Sequence, residues 1–292
     1  MSNSSAVRLI IEPKVRSIGE LDVRRALPDA RQRRVGPFVF FDHFGPVDFA
    51  PGSGVNVRPH PHIGLATITW LFAGTIVHRD SLGFVQPIEP GAVNWMTAGR
   101  GIVHSERSPP EQVQEGSHVH GIQTWVALPV EAEECEPRFE HYPAEQIPAE
   151  TRDGVRLCVA VGEIAGLRSP VRPESETVLA QVDLEADSRW IVPAGFDELA
   201  IYVVDGTIEC AGDIVPASSM AILDSGNATE LVAREASRMI LIGGASLPGK
   251  RTVWWNFVSS SRDRIEKAKQ DWKEGRFDPV PGEHDSIPLP SD

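Results

Sequence analysis

His60-Pro61-His62 and His104-Ser105-Glu106 are two short, ligand-like stretches of this chain. In an extended strand, side chains at i and i+2 project from the same face. Each pair can therefore place two ligand groups in one barrel interior. Three imidazoles and a carboxylate are nitrogen and oxygen donors of the kind that bind Fe, Mn, Co, Ni, Cu or Zn. Four such donors on an octahedral ion leave two positions for water, substrate or dioxygen, which points to chemistry and not only to a structural ion. A lone core histidine is more often a hydrogen-bonded packing residue. Two spaced pairs, the second behind the turn Gly99-Arg100-Gly101, shift the reading to metal.

Strands must bring these pairs together. Roughly four short strands fit between His62 and His104 at the usual spacing of about 8–12 residues. Residues 66–72 (ATITWLF), 93–96, 102–106 and 118–128 read as strands, with Gly74, Gly91, Gly99 and Gly101 supplying the turns. Residues 129–154, rich in Glu and Pro, read as an exposed connection, and a second strand series begins at Val155. LFAGTIVHRD around Gly74 resembles VVDGTIECAG around Gly206, an internal repeat that places Tyr202 at Trp70, Val192 at His60 and Ala194 at His62. One fold unit occurs twice, and only the first copy keeps the histidines. Near the end, Ser259 to Ser261 and Gly275 bracket a helix over about 262–274, with Ile265, Ala268 and Trp272 on one stripe for docking. The tail after Phe277 is Pro-rich and should run extended over the surface.

Composition narrows the classes. The 292 residues suffice for one large or two ordinary domains, and 25 Gly with 24 Pro between short apolar runs suggest many strands and tight turns. No apolar run approaches the about 20 residues that cross a bilayer. The opening MSNSSAVRLIIEP lacks the apolar core of a secretory leader, so no membrane association is expected. Cys135, Cys158 and Cys210 are odd in number and not spaced as a disulfide framework, which suits a reduced, cytoplasmic protein. A net charge of −13 argues against direct nucleic-acid binding, since phosphate contacts rest on Lys and Arg. Arg24, Arg25, Arg31, Arg33 and Arg34 read as a solvated, partly ion-paired cluster.

Residues 37–47 (PFVFFDHFGPV), 58–72 (RPHPHIGLATITWLF), 78–83 (HRDSLG), 90–107 (PGAVNWMTAGRGIVHSER) and 254–260 (WWNFVSS) resemble the cupin fold and, more closely, the bacterial pirin family. The resemblance implies an all-β bicupin: two cupin-type β-barrels with a short C-terminal helix. Residues 1–140 would form the metal-binding barrel. Residues 141–292 would form a barrel without ligands, plus the helix and tail. His60, His62, His104 and Glu106 would bind one transition metal, iron first, with Mn, Co, Ni, Cu and Zn as alternatives. General cupins carry a Glu four or five residues after the second His. Ala66 and Thr67 stand there, and Glu106 looks like the replacement. Glu106 is also the catalytic candidate, accepting a proton or tuning the metal, unless it hydrogen-bonds a bound water instead.

The implied activity is that of a quercetin 2,3-dioxygenase, an oxidoreductase opening a flavonol with dioxygen and loss of carbon monoxide. The metal's charge would favour the phenolate or enolate form of the substrate. The alternative from the same family is a metal-binding regulatory protein acting through redox-dependent contacts with a protein partner. A lyase or isomerase is a third option, because the cupin fold hosts many reactions. His118 and His120 form a rival spaced pair, for which solvent or packing is the default reading. Asp42-His43 and His78 read as supporting or loop residues. Trp70, Trp95 and Met96 read as core, and Arg100 has no assigned role.

Overall fold

The computed structural model describes residues 6–18, 21–224 and 226–290. The first five residues, part of the opening stretch read above, lie outside that set. Strands dominate. Among the described residues the α-helices are Pro110–Glu115 and Arg262–Lys273. The four strands expected between His62 and His104 are Leu65–Ala73, Ile76–Asp80, Val85–Ile88 and Val93–Thr97. No described helix is long and apolar enough to cross a membrane.

The chain forms two compact units. One comprises Met1–Val15, Arg24–Phe41 and Glu145–Leu247; the other comprises Arg16–Val23, Asp42–Ala144 and Pro248–Asp292. This differs from a contiguous division after residue 140. The terminal helix and tail group with the histidine-bearing strands, because Ile265 and Ala268 of the helix pack with Ile63 and Phe257 in one buried cluster. Ser261 caps the helix by accepting the Arg264 N–H, as the sequence indicates.

Each unit pairs a large antiparallel sheet with a four-stranded one. In the unit holding His60, the smaller sheet runs in the order Asn56–His62, Ile102–Arg107, Ile76–Asp80, Val85–Ile88. In the other unit the order is Arg189–Val192, Thr229–Ala233, Thr207–Cys210, Asp213–Pro216, strand for strand the same arrangement. The repeat seen in the sequence is therefore a repeat of topology. Gly74 and Gly206 take φ of 85° and 82° at equivalent turns, a region that side-chain-bearing residues rarely adopt. Trp70 and Tyr202 are both buried. The interiors differ in chemistry. Val192, Ile208, Cys210, Val215 and Leu231 belong to a continuous apolar core in the second copy, where the first copy presents histidines.

The segment after residue 128 is more ordered than an exposed connection. Arg138–Tyr142 adds a strand beside Val93–Thr97 and buries Phe139. Glu133 is buried too, paired with Arg251 at 2.8 Å. The sequence shows only its surface-like composition, and this ion-pair partner lies more than a hundred residues away.

Candidate metal centre

Three neighbouring strands each carry a spaced polar pair. Ile102–Arg107 lies between Asn56–His62 and Ile76–Asp80. His104 stands opposite His60 across one ladder and opposite Asp80 across the other, and Glu106 stands opposite His78. The register slips between His104 and Glu106, so that Arg58 and Pro59 together oppose Ser105. This is a β-bulge at a proline, which has no N–H to give to a ladder. Here the Arg58 carbonyl accepts the Nδ1–H of His60 at 2.8 Å. His62 likewise gives its Nδ1–H to the Asn256 carbonyl at 3.1 Å.

A carbonyl only accepts, so both rings carry their proton on Nδ1 and keep a bare lone pair on Nε2. One ring nitrogen from each of His60, His62 and His104 lies within 4.8 Å of the others. The Nε2 atoms of His62 and His104 are 3.1 Å apart. Two nitrogen donors at about 2.1 Å from one ion, at right angles, are about 3 Å apart. The spacing therefore suits adjacent donors on a single cation. Burial, followed by repulsion from neighbouring imidazoles, holds His62 and His104 well below the usual histidine range. Burial also lowers His60, against the opposing influence of the Arg58 carbonyl and Glu106. These are neutral rings, the form that donates to a metal. The donor set fits one divalent transition ion.

Glu106 shares this interior but is not in the close histidine group. Its Oε1 accepts from Thr69 Oγ1 at 3.1 Å and from Gln123 Nε2 at 2.9 Å, and its Oε2 accepts from Gln123 at 2.7 Å. Trp125 meets His62 edge-on at 5.2 Å, and Phe139 stacks on His78 at 4.3 Å.

The other singled-out residues fall elsewhere. His118 is exposed and pairs with Asp48 at 2.7 Å, while His120 is buried with its Nε2 2.7 Å from that of His43. Trp70, Trp95 and Met96 are core. Arg100 pairs with Glu136 at the surface. Sequence reasoning missed Asp80, Gln123, Thr69 and the tail residue Glu283. His78-Arg79-Asp80 repeats the spacing of the two ligand pairs and was a usable signal. Nothing local points to Gln123 or Glu283, which meet the site strands only through tertiary pairing.

Two cupin barrels with a buried histidine cluster in one of them define a bicupin. Residues 20–126 match the Pirin family and residues 179–278 match the Pirin C-terminal cupin domain. A Pirin-like protein of Caulobacter vibrioides is 43% identical over 290 residues, covering 97% of this chain and 99% of that protein. Pirin of Homo sapiens is 28% identical, covering 94% of this chain and 95% of that one. A crystal structure described as quercetin 2,3-dioxygenase from Acinetobacter baumannii is similar with a TM-score of 0.91 and 35% identity, covering 97% of this chain and 95% of that one. The chain belongs to the pirin family.

Proposed function

We propose that this protein is a metal-dependent dioxygenase acting on a flavonol-like phenol such as quercetin. His60, His62 and His104 would hold one transition-metal ion, iron first among the candidates, with Glu106 as a further ligand or as the proton acceptor. When bound, such an ion stabilises the anion of a phenolic or enolic hydroxyl beside it and so favours its reaction with dioxygen. The protein's own contribution is orientation and proton handling. A carboxylate oxygen of Glu106 receives the hydroxyl proton, and Gln123 and Thr69 hold that carboxylate in place by their hydrogen bonds. Trp125 supplies flat apolar surface beside His62, which suits an aromatic ring.

The observation that carries this reading is the pair of Nε2 atoms of His62 and His104, 3.1 Å apart. That spacing matches two neighbouring nitrogen donors on one ion, which would draw on both rings. The similarity to a structure described as a quercetin 2,3-dioxygenase supports the choice of chemistry. The test is oxygen uptake with quercetin by protein loaded in turn with Fe, Mn, Co, Ni, Cu and Zn. At least one metal should support uptake and carbon monoxide release, and His62→Ala should abolish both. Absence of turnover with every metal overturns the enzymatic reading.

A metal-binding protein that acts through a protein partner is the second reading. It is favoured by the apolar interior of the second barrel, which offers no ligand cluster among the described residues. A specific partner recovered by the metal-loaded protein and lost on chelation would support it. No metal-dependent partner would count against it.

A further inference from the structure

The proposed ligands His60 and His62 have their outer nitrogens tied to backbone carbonyls, which dictate the ring tautomer. His104 has no carbonyl in that place. Its Nδ1 lies 3.3 Å from the Nδ1 of His78. Two imidazole nitrogens in contact can bond only if one bears a proton and the other does not, so the proton's position must be decided by something further out. Asp80 is fully buried, and its Oδ2 lies 2.8 Å from the Nε2 of His78. Its Oδ1 accepts the backbone N–H groups of Leu82 and Phe84, at 2.9 and 3.1 Å. Asp80 is thus oriented as an acceptor throughout.

From this geometry we infer that Asp80 and His78 are positioning residues that fix the tautomer of His104 and so keep its Nε2 available as a metal ligand. The inference rests on the reading that His60, His62 and His104 bind a metal. Asp80 accepts from His78 Nε2–H. With that proton on Nε2, the His78 ring presents a lone pair on Nδ1, which accepts the Nδ1–H of His104. His104 is left with a bare Nε2, matching His60 and His62. The register supports the chain of contacts, since Asp80 stands directly opposite His104 and His78 directly opposite Glu106. Phe139, stacked on His78 at 12° between planes, holds the His78 ring plane. Partners of this kind, which donate to or accept from the far nitrogen of a ligating imidazole, typically change metal affinity about 10- to 100-fold when removed.

Asp80→Asn separates proton placement from folding. The amide oxygen can still accept from Leu82 and Phe84, but the amide nitrogen now donates toward His78 Nε2. His78 is then driven to carry its proton on Nδ1, facing the proton of His104. His78→Phe keeps a ring to stack on Phe139 and removes the acceptor altogether. Zinc alone is the probe, with affinity measured by competition against a chromophoric chelator. Tautomers are read from nitrogen-15 shifts of the zinc-loaded protein.

The wild type should show His104 protonated at Nδ1 with Nε2 on zinc. D80N and H78F should each weaken zinc binding about 10- to 100-fold, and D80N should add less than threefold in the H78F background. D80N should also lose the His104 Nδ1–H signature while its circular dichroism stays native. Zinc affinity within threefold of wild type in both single variants overturns the inference, as does full additivity in the double variant. If H104A itself binds zinc as tightly as wild type, the metal-site reading fails instead, and the two failures are told apart.

Discussion

Glu283→Ala tests how the C-terminal tail is tied to the strand that carries His104 and Glu106. Ser105 Oγ donates to Glu283 Oε1 at 2.6 Å, and Arg107 Nε reaches Oε1 and Oε2 at 3.2 and 3.1 Å. Arg107 Nη2 also pairs with Oε2. These two donors flank Glu106 in sequence. A second tie holds the neighbouring strand, where the Pro59 carbonyl accepts the Ile287 N–H at 2.8 Å. The Glu283 side chain is 9% exposed and that of Arg107 25%. Breaking a buried ion pair from one side costs about 3–5 kcal/mol. Arg107 is partly solvated and keeps Asp285 at 3.1 Å, so the expected loss is smaller, about 2 kcal/mol.

Urea unfolding followed by tryptophan fluorescence measures this loss. Of the seven Trp residues, all but Trp190 lie in the unit that contains the tail. The pH dependence supplies a sign. Burial by itself raises the Glu283 carboxyl, but hydrogen bonds from Arg107 and Ser105 and the charge of Arg107 outweigh it and hold the group below its ordinary range. The carboxyl's contribution is therefore complete above the unfolded-state value of about 4.3 and fades as pH falls through the lower folded value. The stability gap between wild type and variant should be full at pH 7 and narrow below about pH 4. A gap under about 0.5 kcal/mol at pH 7, the range of ordinary surface changes, or one unchanged on acidification, would refute the reasoning.

Replacing His62 or His104 by Ala should remove the bound metal while leaving the sheets folded, because the apolar cores supply most of the stability; elemental analysis and circular dichroism check the two halves. Full metal occupancy in both variants would point to another site, such as His43 with His120. Glu106→Gln should cut oxygen uptake by about 10²- to 10⁴-fold, the usual worth of a general base, and steady-state kinetics with unchanged turnover would remove Glu106 from the proton step. Burial, with Asp213 nearby, pushes the Cys210 thiol up to about 12, and burial also raises Cys158. Since the thiolate is the reactive form, alkylation of the folded protein at pH 8 should label half-buried Cys135 first, and equal labelling of all three by mass spectrometry would contradict this. Gly99→Ala should destabilise by more than about 1 kcal/mol, because φ is 49° there and an added Cβ would lie 2.1 Å from the Cys135 carbonyl oxygen.

Spacing along the chain shows which groups can act together on one strand. The two-residue period of a strand puts His60 with His62 and His104 with Glu106, and the same rule covers His78 and Asp80. Caps and glycines marked the terminal helix, and the Gly74 and Gly206 repeat announced the second barrel and its loss of histidines. Those are local properties, carried by spacing and backbone preference. What those groups meet is set by the folded chain. The bulge at Arg58 and Pro59 sets His60 opposite His104. Cross-strand register brings Asp80 beside His104 and His78 beside Glu106. Gln123, on a strand of the other sheet, grips the Glu106 carboxylate. The helix and tail close on the ligand strands and not on the barrel nearest in sequence, because Ile63 and Phe257 offer the apolar surface that Ile265 and Ala268 must bury. Pairing register and long-range burial depend on the whole fold's free energy, which no short window of residues contains.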